Sequence, residues 1–441
     1  MSDERLLTVE EALERVLDGV TAVVDVEWLT PEAALGRVVA QVAVATTSLP
    51  PWDNSAMDGY AIHAGDTTGA AEASPTALDV IGEVPAGSAS SQEVGPRVAI
   101  RIATGAPVPR GADAVVPVEA TSPVDPAGDV GGRGRDATGP LPARILVHEV
   151  VPVGGSIRRA GSDVEAGAIL REPGDVVTPA AVALLAGSGV TEVVVRRRPV
   201  VGVLATGDEV RGPGEALGSA GIPDANGPGV RSLVRQAGAE ALELGIAKDV
   251  LDDVAARLQR AIDAGADAII VSGGVSVGPY DVVRLAFEQL AGSVSLWRVA
   301  VQPGKPFAFA RVAGGFRPVL LFGLPGNPVS SFVTFELFVR PALRRLAGHR
   351  DVLRPRDRAV LEEPVSKSAG RRGFQRVMAL RDGDGGPERD AAGRVRVRLA
   401  GGQGSHVMSA LAAADALAVV PESVDRLPAG AEVELRWLDR G

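Results

Sequence analysis

The chain has 441 residues, a net charge of -10, no cysteine and 23% charged side chains. That length exceeds what one hydrophobic core supports, so three or four domains are expected. The missing cysteine excludes disulfides, thiolate zinc sites and a cysteine nucleophile, and the negative charge argues against a nucleic-acid partner.

The N-terminal segment "MSDERLLTVEEALERVL" predicts an amphipathic helix. Thr8 and Glu11 stand at capping-box spacing, and Val9, Ala12, Leu13, Val16 and Leu17 form one apolar stripe. It has neither the order of a secretory signal nor the length of a membrane span, so the expected compartment is the cytoplasm, with no membrane partner. "TPEAALGRVVA" predicts a second helix capped by Thr30, followed by a strand in "VVAQVAVA".

Next comes "PPWDNSAMDGYAI", Pro50 to Ile62, with two carboxylates, a carboxamide and a hydroxyl in a few residues. From Tyr60 to Val150 short Val/Ile runs alternate with Gly and Pro, as β structure does. "SPVDPAGDVGGRGRDATGPLPAR" interrupts them as a surface insertion. "TPAAVALLAGSGV" then predicts a helix capped by Thr178, leading into the strand "TEVVVRR".

From Pro199 the pattern becomes strand, loop, helix. "PVVGVLA", "ALELGIA", "DAIIVSG" and "PVLLFG" are almost wholly apolar, the mark of strands buried on both faces of a parallel sheet. After "AGHRDVLRPRD" the text returns to short strands. The fold class is therefore α/β plus β, an elongated multidomain chain containing an open, mostly parallel α/β sandwich. Four units are expected: an elongated N-terminal unit from residues 1–48 and 151–197, an inserted β-rich unit at 49–150, the α/β unit at 198–350, and a small β unit at 351–441.

Ligands of an open parallel sheet bind where loops leave its carboxyl edge. There the chain places "TGDEV" (Thr206 to Val210), "KDVLDD", "SGGVSVGPYD" (Ser272 to Asp281) and "LPGNPVSS" (Leu324 to Ser331). Gly273, Gly274, Ser276 and Gly278 suit an anion cradle of backbone N–H groups, or equally a tight turn needing glycine geometry. Asp208, Glu209, Asp249 and Asp281 surround it. Carboxylates beside a phosphate require an intervening hard cation such as Mg²⁺; the competing reading for each is a helix cap. Only Lys248, Lys305 and Lys367 are lysines among 45 basic residues. Lys305, bracketed by Gly and Pro in "QPGKP", therefore marks a place for a compact ammonium facing an oxyanion. Ser330 and Ser331 begin a helix, where they cap it or bond an oxyanion.

Taken in order, "PPWDNSAMDGYAI", "RIATGAPVPRGADAVVPVE", "GSDVEAGA", "ATGDEV", "SGGVSVGPYD", "QPGKP", "GLPGNPVSSF" and "GGQGSHVMSAL" resemble the molybdopterin molybdenumtransferases, which are similar to the E domain of gephyrin. The resemblance implies a homodimer whose third domain is like molybdopterin adenylyltransferase. The implied reaction takes adenylylated molybdopterin and molybdate, releases AMP with Mg²⁺ and forms molybdenum cofactor. Molybdopterin adenylyltransferase and molybdoenzyme maturation proteins are the implied partners. By resemblance, Asp58, Thr104 and Asp163 are functional polar positions of the N-terminal region, and Glu209, Asp249 and Asp281 are the metal-linked carboxylates. Thr206 joins the cofactor-binding positions. Lys305, Ser330, Arg376 and Ser405 hold molybdate, and Pro325 and Pro328 shape the loop. The chain departs from the family pattern at Gln302, where many members carry a basic residue, and at Arg298, where Lys is frequent. "DNSAMDGY" is expected to close the site of the partner subunit; the competing reading is an Asx-type turn network that holds a domain junction. The competing functions are an adenylyltransferase, which the third domain alone would resemble, and an oligomeric scaffold.

Overall fold

The computed structural model describes residues 6–23, 25–134, 139–274, 281–291, 294–313 and 317–438. Its centre is a six-stranded sheet: β1 (Val200–Thr206), β2 (Glu240–Ala247), β3 (Ala268–Ser272), β4 (Ser295–Arg298), β5 (Pro306–Val312) and β6 (Val319–Leu324), in the order β2-β1-β3-β6-β5-β4. β1, β2, β3 and β6 are parallel; β5 runs antiparallel to both β6 and β4. The antiparallel β4 and β5 extend the sheet beyond the four strands expected from sequence. β1, β3 and β6 are buried on both faces, as their composition requires, by the helices Asn226–Gln236, Leu251–Asp263 and Val282–Ala291 and by a helical run from Pro328 to Leu346. For "ALELGIA" the expectation is corrected: β2 is the edge strand, and only its last residue, Ala247, is buried.

The helix Val9–Leu17 forms with its capping box intact. Sequence order places it at the head of the N-terminal unit, yet Val9, Ala12 and Val16 are buried in the α/β core beside Val301, Leu343 and Leu346. The stripe read from the sequence is real; its partner lies some 300 residues downstream. The second predicted helix, at "TPEAALG", is corrected to a turn. Thr30 accepts from the Ala33 amide at 3.3 Å as a cap should, but Gly36 adopts φ +73° and sends its N–H to Val177, ending the helix after one turn.

Val26–Leu29 pairs with Val193–Arg196, Ala43–Val44 with Ile169–Arg171, and Asn54–Ser55 with Ile157–Arg158. Residues on both sides of the inserted stretch thus fold onto one another, and Ala34, Val39, Leu170, Leu185 and Val195 share a core. Between them, six short strands from Gly59–Ile62 to Arg144–Val147 make a mixed sheet. The C-terminal strands Arg356–Leu361, Arg372–Ala379, Val395–Leu399, Ala416–Val420 and Glu432–Trp437 pair in a closed ring. This barrel is filled by Leu361, Val377, Val397, Ala418 and Leu435. Among the described residues no helix is long and apolar enough to cross a membrane.

Candidate functional site

In a parallel sheet all carboxyl ends share one edge, and the register shows how closely they lie. Thr206 pairs with Ala247, Ala205 with Ser272, and Ser272 with Leu324. The Gly273 amide crosses to the Leu324 carbonyl at 3.1 Å, and the Gly207 amide reaches that of Ala247 at 3.3 Å. The strand order reverses at β1, which has β2 on one side and β3 on the other. The crevice of such a sheet opens between β1 and β3, at Thr206 and Gly273.

Gly273 (φ +97°) and Gly274 (φ +64°) need their missing side chains. A Cβ on Gly273 would stand 2.6 Å from the Thr206 carbonyl oxygen, and one on Gly274 2.7 Å from Val283. Thr206 is buried beneath them, its hydroxyl 3.5 Å from the Ser272 carbonyl. Ser276 and Gly278 lie outside the described residues.

The carboxylates do not form a closed cage; among the described residues no group of three or more acidic or histidine side chains could hold a metal ion. Asp208, Glu209 and Asp249 are nonetheless neighbours. The Asp249 amide donates to Asp208 Oδ1 at 3.3 Å. Although Asp249 is open to solvent on one side, partial burial raises its pKa, and the charges of Asp208 and Glu209 add to the shift. Asp281 is buried and caps the helix Val282–Ala291, accepting the Arg284 amide at 3.0 Å. Capping, the competing reading, is therefore part of what Asp281 does.

β5 is antiparallel, so its first residue lies at the same edge, and the exposed Lys305 precedes it. Gly304 has φ +114°, and a Cβ there would be 2.5 Å from Thr334 Oγ1 and 3.4 Å from the Ser330 carbonyl. The Lys305 turn is thus seated on the helix Pro328–Thr334 that carries Ser330. In the preceding loop Ser331 Oγ donates to the Pro325 carbonyl. Asn226 Nδ2 donates to the Gly326 carbonyl at 2.7 Å. Sequence reasoning misses Asn226 because it reads as a turn residue in "NGPG". Its contact spans 100 positions, so only a placed helix reveals it.

Arg376 is 1% exposed and grips the loop ahead of Ser405, donating to the Gly402 and Gly404 carbonyls at 3.2 and 3.1 Å; burial lowers its pKa. The following helix, Met408–Ala413, packs on Pro328–Thr334, the helix that carries Ser330. Arg376 shapes the wall through its loop; its fork is turned onto carbonyls.

The N-terminal positions form a separate group. Asp58 Oδ1 accepts from the Thr104 amide and hydroxyl at 2.7 and 2.9 Å, which lowers its pKa. Asp53 is bound by Arg159 and the Ala160 amide. Asp163 is exposed, with its amide on the Leu49 carbonyl. A cavity of about 200 Å³ opens beside Asp58, lined also by Glu83, Arg101 and Ile102. A cleft of about 800 Å³ lies against the barrel. Its Arg356, Arg372 and Arg436 are paired with glutamates, which leaves it charge-balanced and without a directed donor set.

Comparison with known proteins bears on all three regions. Residues 7–189 match the MoeA N-terminal region (domain I and II), 202–345 a probable molybdopterin binding domain, and 358–437 the MoeA C-terminal region (domain IV). The chain is 40% identical over 408 residues to molybdopterin molybdenumtransferase 2 of Mycobacterium tuberculosis, covering 91% of this chain and 92% of the relative. It is 33% identical to the molybdopterin molybdenumtransferase of Haemophilus influenzae, over 98% of both chains. The crystal structure of a molybdopterin biosynthesis moeA protein from Pyrococcus horikoshii OT3 superposes with a TM-score of 0.77 at 28% identity, covering 98% of this chain and 100% of that one.

Proposed function

The chain belongs to the MoeA family of molybdopterin molybdenumtransferases, enzymes of molybdenum cofactor biosynthesis, and from that premise we propose that it inserts molybdenum from molybdate into adenylylated molybdopterin with release of AMP. The observation that carries this reading is the sharing of one sheet edge by an anion-suited glycine turn, an acidic cluster and the Lys305 turn.

The donor chemistry fits Mg²⁺. This ion keeps several waters and takes one or two carboxylates together with substrate phosphates, so an open pair serves where a cage is absent. Glu209 and Asp249 would hold it, with Asp281 capping the helix whose Val283 packs against Gly274. When bound, it neutralises charge between these carboxylates and the pyrophosphate.

The chain's own groups do the positioning. The Gly273 and Gly274 turn lets the nucleotide phosphates approach the backbone, since no Cβ intervenes. Lys305 offers a point charge to molybdate and Ser330 a hydroxyl, while Arg376 fixes the loop that presents Ser405. Asp58, Thr104 and Asp163 bond within residues 49–164, and in this reading the segment carrying Asp58 closes the edge from the partner subunit of a homodimer. The absence of cysteine is in keeping with a cytoplasmic enzyme, and by resemblance its substrate would come from the adenylyltransferase and its product pass to maturation proteins.

The test is AMP release from adenylylated molybdopterin with and without molybdate, in the wild type and in Asp281→Asn. Asn also caps helices, so the variant should fold, and its AMP release should be lost. Transfer of AMP from ATP to molybdopterin would identify an adenylyltransferase instead, and undiminished turnover would remove Asp281 from the mechanism.

A further inference from the structure

The turn that presents Lys305 is held at its base by two segments remote in sequence. On one side Leu7 bridges Val299: its amide donates to the Arg298 carbonyl at 3.0 Å, and the Ala300 amide returns to the Leu7 carbonyl at 2.8 Å. On the other, Val301–Gln302 adds as a short parallel strand to the barrel strand Arg372–Ala379. There the Arg372 amide reaches the Ala300 carbonyl at 2.7 Å, and the Ser368 amide donates to Gln302 Oε1 at 3.0 Å. The Arg372 guanidinium joins the two sides, binding Glu10 of the N-terminal helix and Glu422 of the barrel, the latter at 2.8 Å.

We propose that Gln302 and Arg372 are positioning residues of the oxyanion site, clasping the barrel and the N-terminal helix to the Lys305 turn so that the ammonium is presented in a fixed place. The inference rests on the reading of Lys305 given above and adds the residues through which it acts. Lysine is a point charge on a flexible stem and gains little from its own geometry, so its effectiveness depends on how firmly its backbone is held. The turn has no slack toward the helix below, where Gly304 already sits against Thr334 and Ser330. Its remaining freedom is lateral, and the clasp removes it. Gln302 fits this role by its chemistry: a neutral amide oxygen accepts the Ser368 N–H and brings no negative charge toward the anion. Arg372 fits because a planar fork can satisfy two carboxylates on different elements at once.

A merely structural staple would alter stability and turnover together, whereas a positioning role predicts a split. In the full-length enzyme with saturating adenylylated molybdopterin, Gln302→Met should raise the KM for molybdate about fivefold, the scale of one net hydrogen bond, with kcat nearly unchanged. Arg372→Gln should do the same, and Arg372→Lys should fall between it and the wild type; if Arg372→Gln does not fold, Arg372→Lys carries the measurement. Lys305→Ala should raise KM further, and adding Gln302→Met to it should change nothing more, because the clasp then has no cation to place. Additive effects in the double variant, or a fall in kcat at constant KM, would overturn the clasp. So would a normal KM in both clasp variants while Lys305→Ala is impaired. A normal KM in Lys305→Ala would instead remove Lys305 from the anion site, and the clasp with it.

Discussion

Replacing Gly273 by Ala tests whether β1 and β3 meet as described. The residue has φ +97°, a conformation that costs a residue with a Cβ about 1–3 kcal/mol. The added carbon would also lie 2.6 Å from the Thr206 carbonyl oxygen and 2.9 Å from its hydroxyl. The nearer atom is backbone, so relief requires the strand exits to part, and overpacking of this kind costs about 1–3 kcal/mol more. The total, roughly 2–6 kcal/mol, corresponds to a fall in melting temperature on the order of 10 °C for a unit of this size. Activity should fall more steeply, since about 1.4 kcal/mol of lost transition-state positioning is already tenfold. Gly229→Ala is the control. That glycine lies inside the helix Asn226–Gln236 with nothing within 4 Å of where a Cβ would stand, and the change should stabilise by about 0.4–1 kcal/mol. The two substitutions are chemically identical and opposite in predicted sign. Thermal unfolding and AMP release, measured on both, decide the matter: a Gly273→Ala enzyme that melts at or above the wild type and keeps full activity would refute the described crevice.

Asp249→Asn should raise the Mg²⁺ concentration needed for half-maximal AMP release at least several-fold, as read by metal titration of initial rates. Mixing Asp58→Asn subunits with Asp281→Asn subunits should restore part of the activity that each lacks alone, which an assay on co-refolded heterodimers checks; no recovery would separate Asp58 from the partner's site. Glu336 is buried and bound by Arg354 at 2.8 and 3.0 Å, so Glu336→Leu, which removes the acidic member of a buried ion pair, should cost about 3–5 kcal/mol in denaturant unfolding. Burial first, then the neighbouring Arg344 and Arg340, depress the pKa of His349 to about 4. A depressed folded-state pKa gives stability that is full above the unfolded value of about 6.5 and lost as pH falls toward about 4. Across that window His349→Gln should flatten the dependence of melting temperature on pH.

What can be read in advance divides by the range of the interactions involved. The four apolar runs announce a doubly covered parallel sheet, and because parallel strands share a carboxyl edge, the loops at Thr206, Asp249, Gly273 and Pro325 must meet. Lys305 stands out by composition alone, as one of three lysines. Which exits border the crevice is not legible, since that depends on β2 taking the far side of β1 and no local pattern encodes the crossover. Local signals also fail where a tertiary bond outweighs them. Thr30 supplies a helix cap, but the Gly36 amide finds Val177 and the helix stops. Asp58 and Thr104 each stand in a distinctive motif, and nothing in either motif says that one carboxylate oxygen takes both donors of the other.

The barrel shows the same limit with a functional consequence. "VRVRL" and "EVELRW" alternate apolar and charged residues, so each is readable as a strand with one buried face, whereas "RDRAVL" runs from three charged residues into three buried apolar ones. Closure into a ring, and the capture of Val301–Gln302 at its edge, follow from backbone pairing between segments distant in sequence, Val301 with Arg372 and Val377 with Ala416. Side-chain alternation is the same whether or not a strand finds that partner. Yet this pairing makes the Lys305 turn part of two units at once: its leading strand belongs to the barrel, and β5, which follows it, belongs to the α/β sheet. Any displacement of the barrel relative to the sheet must therefore be absorbed within residues 303–305, the segment that carries the ammonium. On the proposed role of Lys305, changes at the interface between barrel and sheet should therefore register in oxyanion affinity.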